Sequence, residues 1–430
     1  MVEPPDAPPH WRRRIFALTW LSYFSYYFTR NAFKASKAAF QRDYHLSKSQ
    51  LNWIDTTYNI AYCVGQVTNG ALVERIGPRR WLAIGMLLSA AMCVAFQQVG
   101  TPSGELMGIY MVIWGINGFA QSSGWPANGK AMAEWYGSER RGTAMGLWST
   151  CYQAGGLVAT FLSARVIGWG FGWRSVFIAP AIWVAVVAVA IALWLRDRPS
   201  QVGYRDPDAG PLSDLERRRL RAAEMPRVLR TPMVWMLGAA YFCCKSIRYS
   251  FIFWLPLYLA EAYHYSDSTS LDVSMAFDAG GIVFVVAAGV IADRVFARRR
   301  VLTAFGFLWA LVGALFLYRQ IAEISPTVNV LGLALVGGCL FAADSLISGA
   351  VTQDLGGPHA AGLAAGLVNG IGSIGQVVQG FVLVWVSETY GWGTLFAVFM
   401  ALAAAGALCL IPYLRVMPGH RPAAGAPATA

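Results

Sequence analysis

The stretch GALVERIGPRR at residues 70–80 is answered, 219 residues later, by GVIADRVFARR at residues 289–299. Each copy carries a glycine, an apolar triplet, an acid followed by an arginine, and then a pair of arginines. The spacing recurs elsewhere: Tyr44-His45 matches Tyr263-His264 at 219, and Gly172-Trp173-x3-Phe177 matches Gly391-Trp392-x3-Phe396 at 219. Gly142-x3-Gly146-Leu147 matches Gly362-x3-Gly366-Leu367 at 220. An offset constant to within one residue over separate segments marks an internal duplication.

The surroundings of this repeat are apolar. Of 430 residues, 56% come from the set AVILMFWYC and 13% are charged, where a soluble domain has roughly 45–50% and about 25%. Mean hydropathy is +0.45. A cytosolic enzyme, an RNA-binding protein and a secreted disulfide scaffold are all disfavoured. Taking about 20 apolar residues per span, helices start near residues 15, 51, 81, 106, 143, 173, 233, 270, 301, 328, 361 and 392. The expected fold is therefore an all-α membrane protein, with twelve transmembrane helices in two pseudo-symmetric six-helix bundles. Residues 1–14 form an N-terminal tail, 15–195 the first bundle, 196–232 a polar linker, 233–416 the second bundle and 417–430 a C-terminal tail. No cleaved signal peptide is expected, and parallel repeats of this kind are related by an axis along the membrane normal.

The net charge of +11 would suggest nucleic acid in a soluble chain, but here it reports topology. The N-terminus, the linker, the tail and the loops after even-numbered helices hold 23 of the 34 Lys and Arg, including Arg75, Arg79, Arg80, Arg294 and nine in the linker. The opposite side holds Arg42, Lys48, Arg165, Arg174 and Arg319. The positive-inside rule then puts both termini in the cytoplasm. No metal site or cofactor is expected: the seven cysteines lie in apolar stretches, without a CxxC or Cys/His spacing. No HExxH or GxSxG motif argues for an enzyme.

Six cations remain within the spans: Arg30, Lys34, Lys37, Lys130, Lys245 and Arg248. Each costs roughly 2.5–3.5 kcal/mol or more at membrane depth and needs a reason to be there. Arg30 and Arg248 are repeat equivalents, 218 residues apart. Each lies about 24 Å along its helix in a hydrocarbon core of about 30 Å. Two inward-facing guanidiniums near a pseudo-two-fold axis repel unless an anion sits with them, and the planar fork of arginine fits phosphate or carboxylate oxygens bidentately. Snorkelling, or pairing to buried acids for assembly alone, is the plainer alternative. Lys245 shares the face of Arg248; it is an added anion contact or the partner of an acid, Asp278 or Asp344. Lys34 and Lys37 either extend a cationic stripe or are solvated beyond a helix ending near residue 33. Asp55 is expected at the membrane interface, while Asp278 and Asp344 are candidates for coupling or charge pairing. The tyrosines of helices 1 and 2, Tyr23, Tyr26, Tyr27, Tyr58 and Tyr62, suit either a polar cavity or packing.

With the signature loop at 70–80, the paired halves resemble the major facilitator superfamily. More narrowly, Tyr26-Tyr27-Phe-Thr-Arg30, Gly124-Trp125-Pro126, Trp135-Tyr-x2-Glu139-Arg140 and Arg248-Tyr-x4-Trp254-x-Pro-x-Tyr258 resemble the organophosphate:phosphate antiporter family, which includes glycerol-3-phosphate and hexose-6-phosphate transporters. The resemblance implies that Arg30 and Arg248 bind phosphate. It also points to Tyr27, Tyr62, Tyr152, Gln66, Lys245 and Gln376 as substrate contacts. Gln66, Tyr152 and Lys245 stand where the glycerol-3-phosphate transporter has lysine, histidine and tyrosine, and Gln376 and Gln379 stand where hexose-phosphate members resemble an acid and lysine pair. Glu74, Arg75, Arg79, Arg80, Asp293, Arg294, Glu139 and Arg140 are assigned to cytoplasmic gating through acid–arginine pairs.

The resemblance thus implies a secondary transporter in an inner membrane, monomeric, without cofactor. It carries a phosphorylated or phosphonate organic anion in exchange for inorganic phosphate by alternating access. Its partners are the small-molecule organophosphate, inorganic phosphate and the lipid bilayer, with no nucleic acid. A transport-silent sugar-phosphate sensor of a membrane kinase and a proton-coupled carboxylate symporter stand as alternatives.

Overall fold

The structure, a computed structural model, describes residues 5–100, 105–136, 150–207, 229–296 and 299–414, with 144, 145, 147, 148 and 226. Described elements are α1 (Pro9–Tyr44), α2 (Lys48–Ile76), α3 (Pro78–Gln98), α4 (Glu105–Gln121), α5 (Gly124–Trp135), α6 (Thr150–Gly168) and α7 (Ser175–Trp194). After the linker come α8 (Pro232–Tyr263), α9 (Asp267–Arg294), α10 (Arg300–Ile321), α11 (Pro326–Ser345), α12 (Thr352–Thr389) and α13 (Trp392–Leu410). A π-helical segment, Leu346–Val351, joins α11 to α12. Among the described residues the one strand-like pairing is an isolated bridge of Asp6 with Arg205.

The elements α4 and α5 are one helix interrupted at Ser122-Ser123, so the described helices number twelve. The sequence dictates the break. Pro126 has no N–H to give the carbonyl of Ser122 four residues back, and the Ser122 and Ser123 hydroxyls donate to the carbonyls of Phe119 and Ala120, both at 2.7 Å. Such local bonds compete with the helical ladder. Other ends follow ordinary rules: Ser47 and Gln50 close a capping box at the start of α2, and Pro78 starts α3 behind Gly77 at φ +91°, a conformation open to glycine. Two helices start well before the expected positions: α1 at Pro9 rather than residue 15, and α12 at Thr352 rather than 361. The expected start at 143 lies outside the described residues.

The chain divides into two compact units, residues 1–211 with 265–272, and residues 212–264 with 273–430. In the first, α1 packs on α5, α6 and α7, α2 on α4, and α3 on α4 and α7; in the second, α8 packs on α12 and α13, and α10 on α11 and α13. The duplication recurs in these contacts. A methyl group on Gly155 would sit 2.6 Å from the carbonyl oxygen of Phe24, and one on Gly375, 220 residues later, would sit 2.5 Å from that of Phe242. Only glycine admits this approach of α6 to α1 and of α12 to α8. Trp173 donates its indole N–H to Asp43 at 2.7 Å, and its equivalent Trp392 donates to Glu261 at 2.9 Å. The helices α1 and α8 both terminate on a histidine in the left-handed region, His45 at φ +52° and His264 at φ +55°.

The distribution of polarity is the reverse of a soluble protein's. Ile182, Val186, Val189 and Leu193 of α7 are exposed, as are Ile84, Leu87 and Val94 of α3, while Thr19, Ser22, Ser25, Thr29, Asn31 and Ser36 of α1 are buried. An apolar exterior over a polar interior belongs to a protein solvated by lipid. Among the described residues, seven helices are long and apolar enough to cross a membrane by length and composition. Their neighbours α1, α2 and α8 carry many of the buried polar residues, among them Thr19, Asn31, Asn52, Asp55, Lys245 and Ser250.

Candidate functional site: two arginines, one in each bundle

In the first bundle Arg30 projects from α1 over two tyrosine rings, with its guanidinium carbon 4.6 Å from the centre of Tyr27 and 5.1 Å from that of Tyr62 on α2. Tyr23 and Tyr58 also lie within electrostatic reach. These rings are held in place by other aromatics: Tyr23 meets Tyr27, Trp125 and Trp148, and Tyr58 stacks on Tyr62. Cation–π contact of this kind contributes about 0.5–2 kcal/mol, far less than an ion pair lost to burial. Nε and Nη2 of Arg30 are buried and make no hydrogen bond, and no carboxylate pairs with the residue, among the described residues. A guanidinium dried on its donor edge has the hydrogen-bonding geometry to hold an oxyanion.

Around it, Asn31 ties α1 to α6 by donating to the Gly156 carbonyl at 3.2 Å and to Thr160 at 3.3 Å. The hydroxyl of Tyr26 lies 2.9 Å from Ser123. Gln66, one turn beyond Tyr62, and Tyr152, in the first turn of α6, are half-buried. The helix α1 does not end near residue 33 but runs to Tyr44, with Lys34 and Lys37 buried inside it. Lys37 forms an ion pair with Asp55 of α2, the two side chains 1% and 4% exposed. Asp55, expected at the membrane interface, is buried within the bundle: the added length of α1 brings a buried cation to it, and the pair buries together.

In the second bundle Arg248 of α8 donates from Nη1 to Oδ2 of Asp344 on α11 at 3.1 Å. Its guanidinium carbon lies 4.7 Å from the ring centre of Phe341. Lys245 reaches Ser373 of α12 at 3.1 Å and lies 5.1 Å from the ring centre of Tyr241. Asp344, considered as a partner for Lys245, is thus committed to Arg248. The three-residue step between the cations turns Arg248 rather than Lys245 toward α11. Gln376 and Gln379 are buried on α12, and Gln379 accepts from Ser250 at 2.8 Å. Asp278 is half-buried on α9. Sequence reading missed Tyr241, Phe341 and Ser373, which lie beside the cations; their signal was only their place on α8 itself, on α11 and on α12.

The gating residues divide. Glu74 pairs with Lys130 of α5 rather than with an arginine. This corrects the expected acid–arginine pair and also accounts for Lys130. Arg79 donates its backbone N–H to Asp197 at 2.7 Å and its Nε to the Ala192 carbonyl at 2.6 Å, anchoring the start of α3 to the end of α7. Arg75, Arg80 and Arg294 are exposed. Glu139 and Arg140, and the side chain of Asp293, lie outside the described residues. Among the described residues no cluster of His, Cys, Asp and Glu could hold a metal ion.

The sequence profile of the Major Facilitator Superfamily matches residues 19–380. The chain belongs to the Major Facilitator Superfamily. It is a membrane transporter, not an enzyme. This facilitator is 27% identical to the probable hexose phosphate transport protein of Chlamydia pneumoniae, over 94% of this chain and 91% of that one. It is 29% identical to the glycerol-3-phosphate transporter of Bacillus subtilis strain 168, over 89% and 87%. With the sugar phosphate exchanger 3 of Gallus gallus it shares 28% identity over 85% and 79%. Among solved structures, a D-xylose-proton symporter superposes with a TM-score of 0.72 at 13% identity, covering 94% of this facilitator and 98% of that chain; this likeness concerns the fold alone.

Proposed function

We propose that this facilitator transports an organophosphate in exchange for inorganic phosphate by alternating access, with Arg30 and Arg248 supplying the forks that hold the phosphoryl group. The observation that carries the reading is Arg30, a guanidinium buried at its Nε and Nη2 with no hydrogen bond there and no carboxylate on it among the described residues. Three features support the choice of ligand. Arginine stays charged under all accessible conditions and matches tetrahedral oxyanions bidentately. Five cations enter the spans, Lys34, Lys37 and Lys245 buried and Arg30 and Arg248 half-buried, which suits an anionic ligand. The relatives named above are transporters or exchangers of hexose phosphate, glycerol-3-phosphate or sugar phosphate.

Tyr27 and Tyr62 orient Arg30, Lys245 adds a point charge beside Arg248, and Gln66, Tyr152 and Gln376 offer hydrogen bonds to the organic part. Exchange follows from two anions competing for the same cations: an occupying anion cancels the charge that opposes closure, so differential affinity between states couples the two fluxes. The protein acts as a monomer in an inner membrane with both termini in the cytoplasm, where the excess of loop Lys and Arg places them. Counterflow in proteoliposomes loaded with unlabelled phosphate tests the reading. Uptake of labelled phosphate, suppressed by glycerol-3-phosphate, glucose-6-phosphate or 3-phosphoglycerate, is expected and ranks the substrates. Correctly inserted protein without such uptake would overturn it.

A further inference from the structure

The two repeat-equivalent arginines differ in one respect. Arg30 carries no acid among the described residues, whereas Arg248 rests on Asp344 with the two side chains 13% and 8% exposed. That carboxylate is only half satisfied: Oδ2 accepts from Arg248, while Oδ1 is buried and accepts no hydrogen bond among the described residues. A buried carboxylate with a dry oxygen gains less from its partner than its desolvation costs. Tyr241 and Cys244 of α8 are its other near neighbours. One residue on, the helix widens to π geometry over Leu346–Val351. A π segment inside a helix loosens the register and lets the preceding side chains re-aim.

We infer that Asp344 is a resident counter-anion which the phosphoryl group displaces from Arg248, and that this displacement selects dianionic over monoanionic ligands. The inference rests on the phosphate-binding role of Arg248 proposed above. A monoanion that evicts Asp344 trades one negative charge for another and leaves a carboxylate without its cation. It gains almost nothing. A dianionic phosphate brings a second charge and a third acceptor oxygen, so its attraction to Arg248 and the neighbouring Lys245 exceeds what the carboxylate gave. With Asp344 neutral there is nothing to evict, and the penalty on monoanions disappears.

The test is competition against labelled-phosphate counterflow above neutral pH, with dimethyl phosphate as an obligate monoanion and isopropyl phosphate as a dianion of at least equal bulk. In the wild type, dimethyl phosphate should compete at least about tenfold more weakly, a gap on the scale of one charge-assisted contact. In Asp344→Asn the gap should shrink to about threefold or less; in Asp344→Glu, which keeps the charge, it should persist. Equal competition in the wild type, or an undiminished gap in Asp344→Asn, overturns the inference while leaving phosphate exchange intact. The wild-type comparison decides even where the Asn variant does not insert. Absence of phosphate exchange in inserted wild type instead overturns the reading beneath it.

Discussion

A lysine and an aspartate buried side by side, as Lys37 and Asp55 are, gain little over apolar residues of the same size, but either alone would be an uncompensated charge. Asp55→Asn is therefore expected to destabilise the first bundle by about 3–5 kcal/mol, and Lys37→Met with Asp55→Leu to recover most of that loss. Thermal unfolding in detergent, followed by tryptophan fluorescence, checks this; equal losses in the single and double variants would contradict it. Beside Arg30, the ring of Tyr62 matters more than its hydroxyl. Tyr62→Phe should keep phosphate exchange within about twofold of the wild type, and Tyr62→Ala should lower it roughly tenfold, as expected for a lost cation–π contact; competition assays with phosphate read the difference. Much of this chemistry is legible in the sequence. The offset of 218 between Arg30 and Arg248 marks them as equivalents, and charges inside an apolar span announce themselves. Which acid meets which cation is not legible, because it depends on how far one helix is rotated against the next. Asp344 could have met Lys245 or Arg248, one turn apart, and only the packing of α11 on α8 decides.

At the scale of elements, the close approaches at Gly155 and Gly375 fix the distances of α6 from α1 and of α12 from α8, and with them the walls behind Arg30 and Arg248. A valine at either position has no room. Gly155→Val and Gly375→Val are each expected to cost about 1–3 kcal/mol by overpacking, lowering the thermal midpoint, whereas Gly289→Ala, in open space, should leave it unchanged. Similar midpoints for all three would refute this account of the packing. Helix number followed from hydrophobic run length, since lipid demands long apolar helices. Helix ends were harder to read. The start of α1 at Pro9 precedes the apolar run because helical geometry continues into the polar Trp11–Arg14 turn. The break between α4 and α5 was written in Pro126 and its upstream serines, but hydropathy does not register a missing backbone donor.

For the whole molecule, duplication means that each bundle solves the same packing problem with different side chains, and function resides where the copies diverge. Among the described residues Arg30 meets no acid, whereas Arg248 meets Asp344. The charge bias of the loops and the repeat were legible from the chain alone, since both are properties of order along the sequence. The substrate's organic part was not, because it depends on residues such as Gln66, Tyr152 and Gln376, which carry no charge and fit several hydroxylated ligands. The most direct test of the central claim is phosphate counterflow by Arg30→Lys beside the wild type, at equal insertion in proteoliposomes. The lysine keeps the charge and removes the planar fork, so the wild type should accumulate labelled phosphate and the variant should be slowed by about a hundredfold or more, the loss of a bidentate charge-assisted contact. Exchange at a wild-type rate in Arg30→Lys would contradict the claim that this guanidinium holds the phosphoryl group.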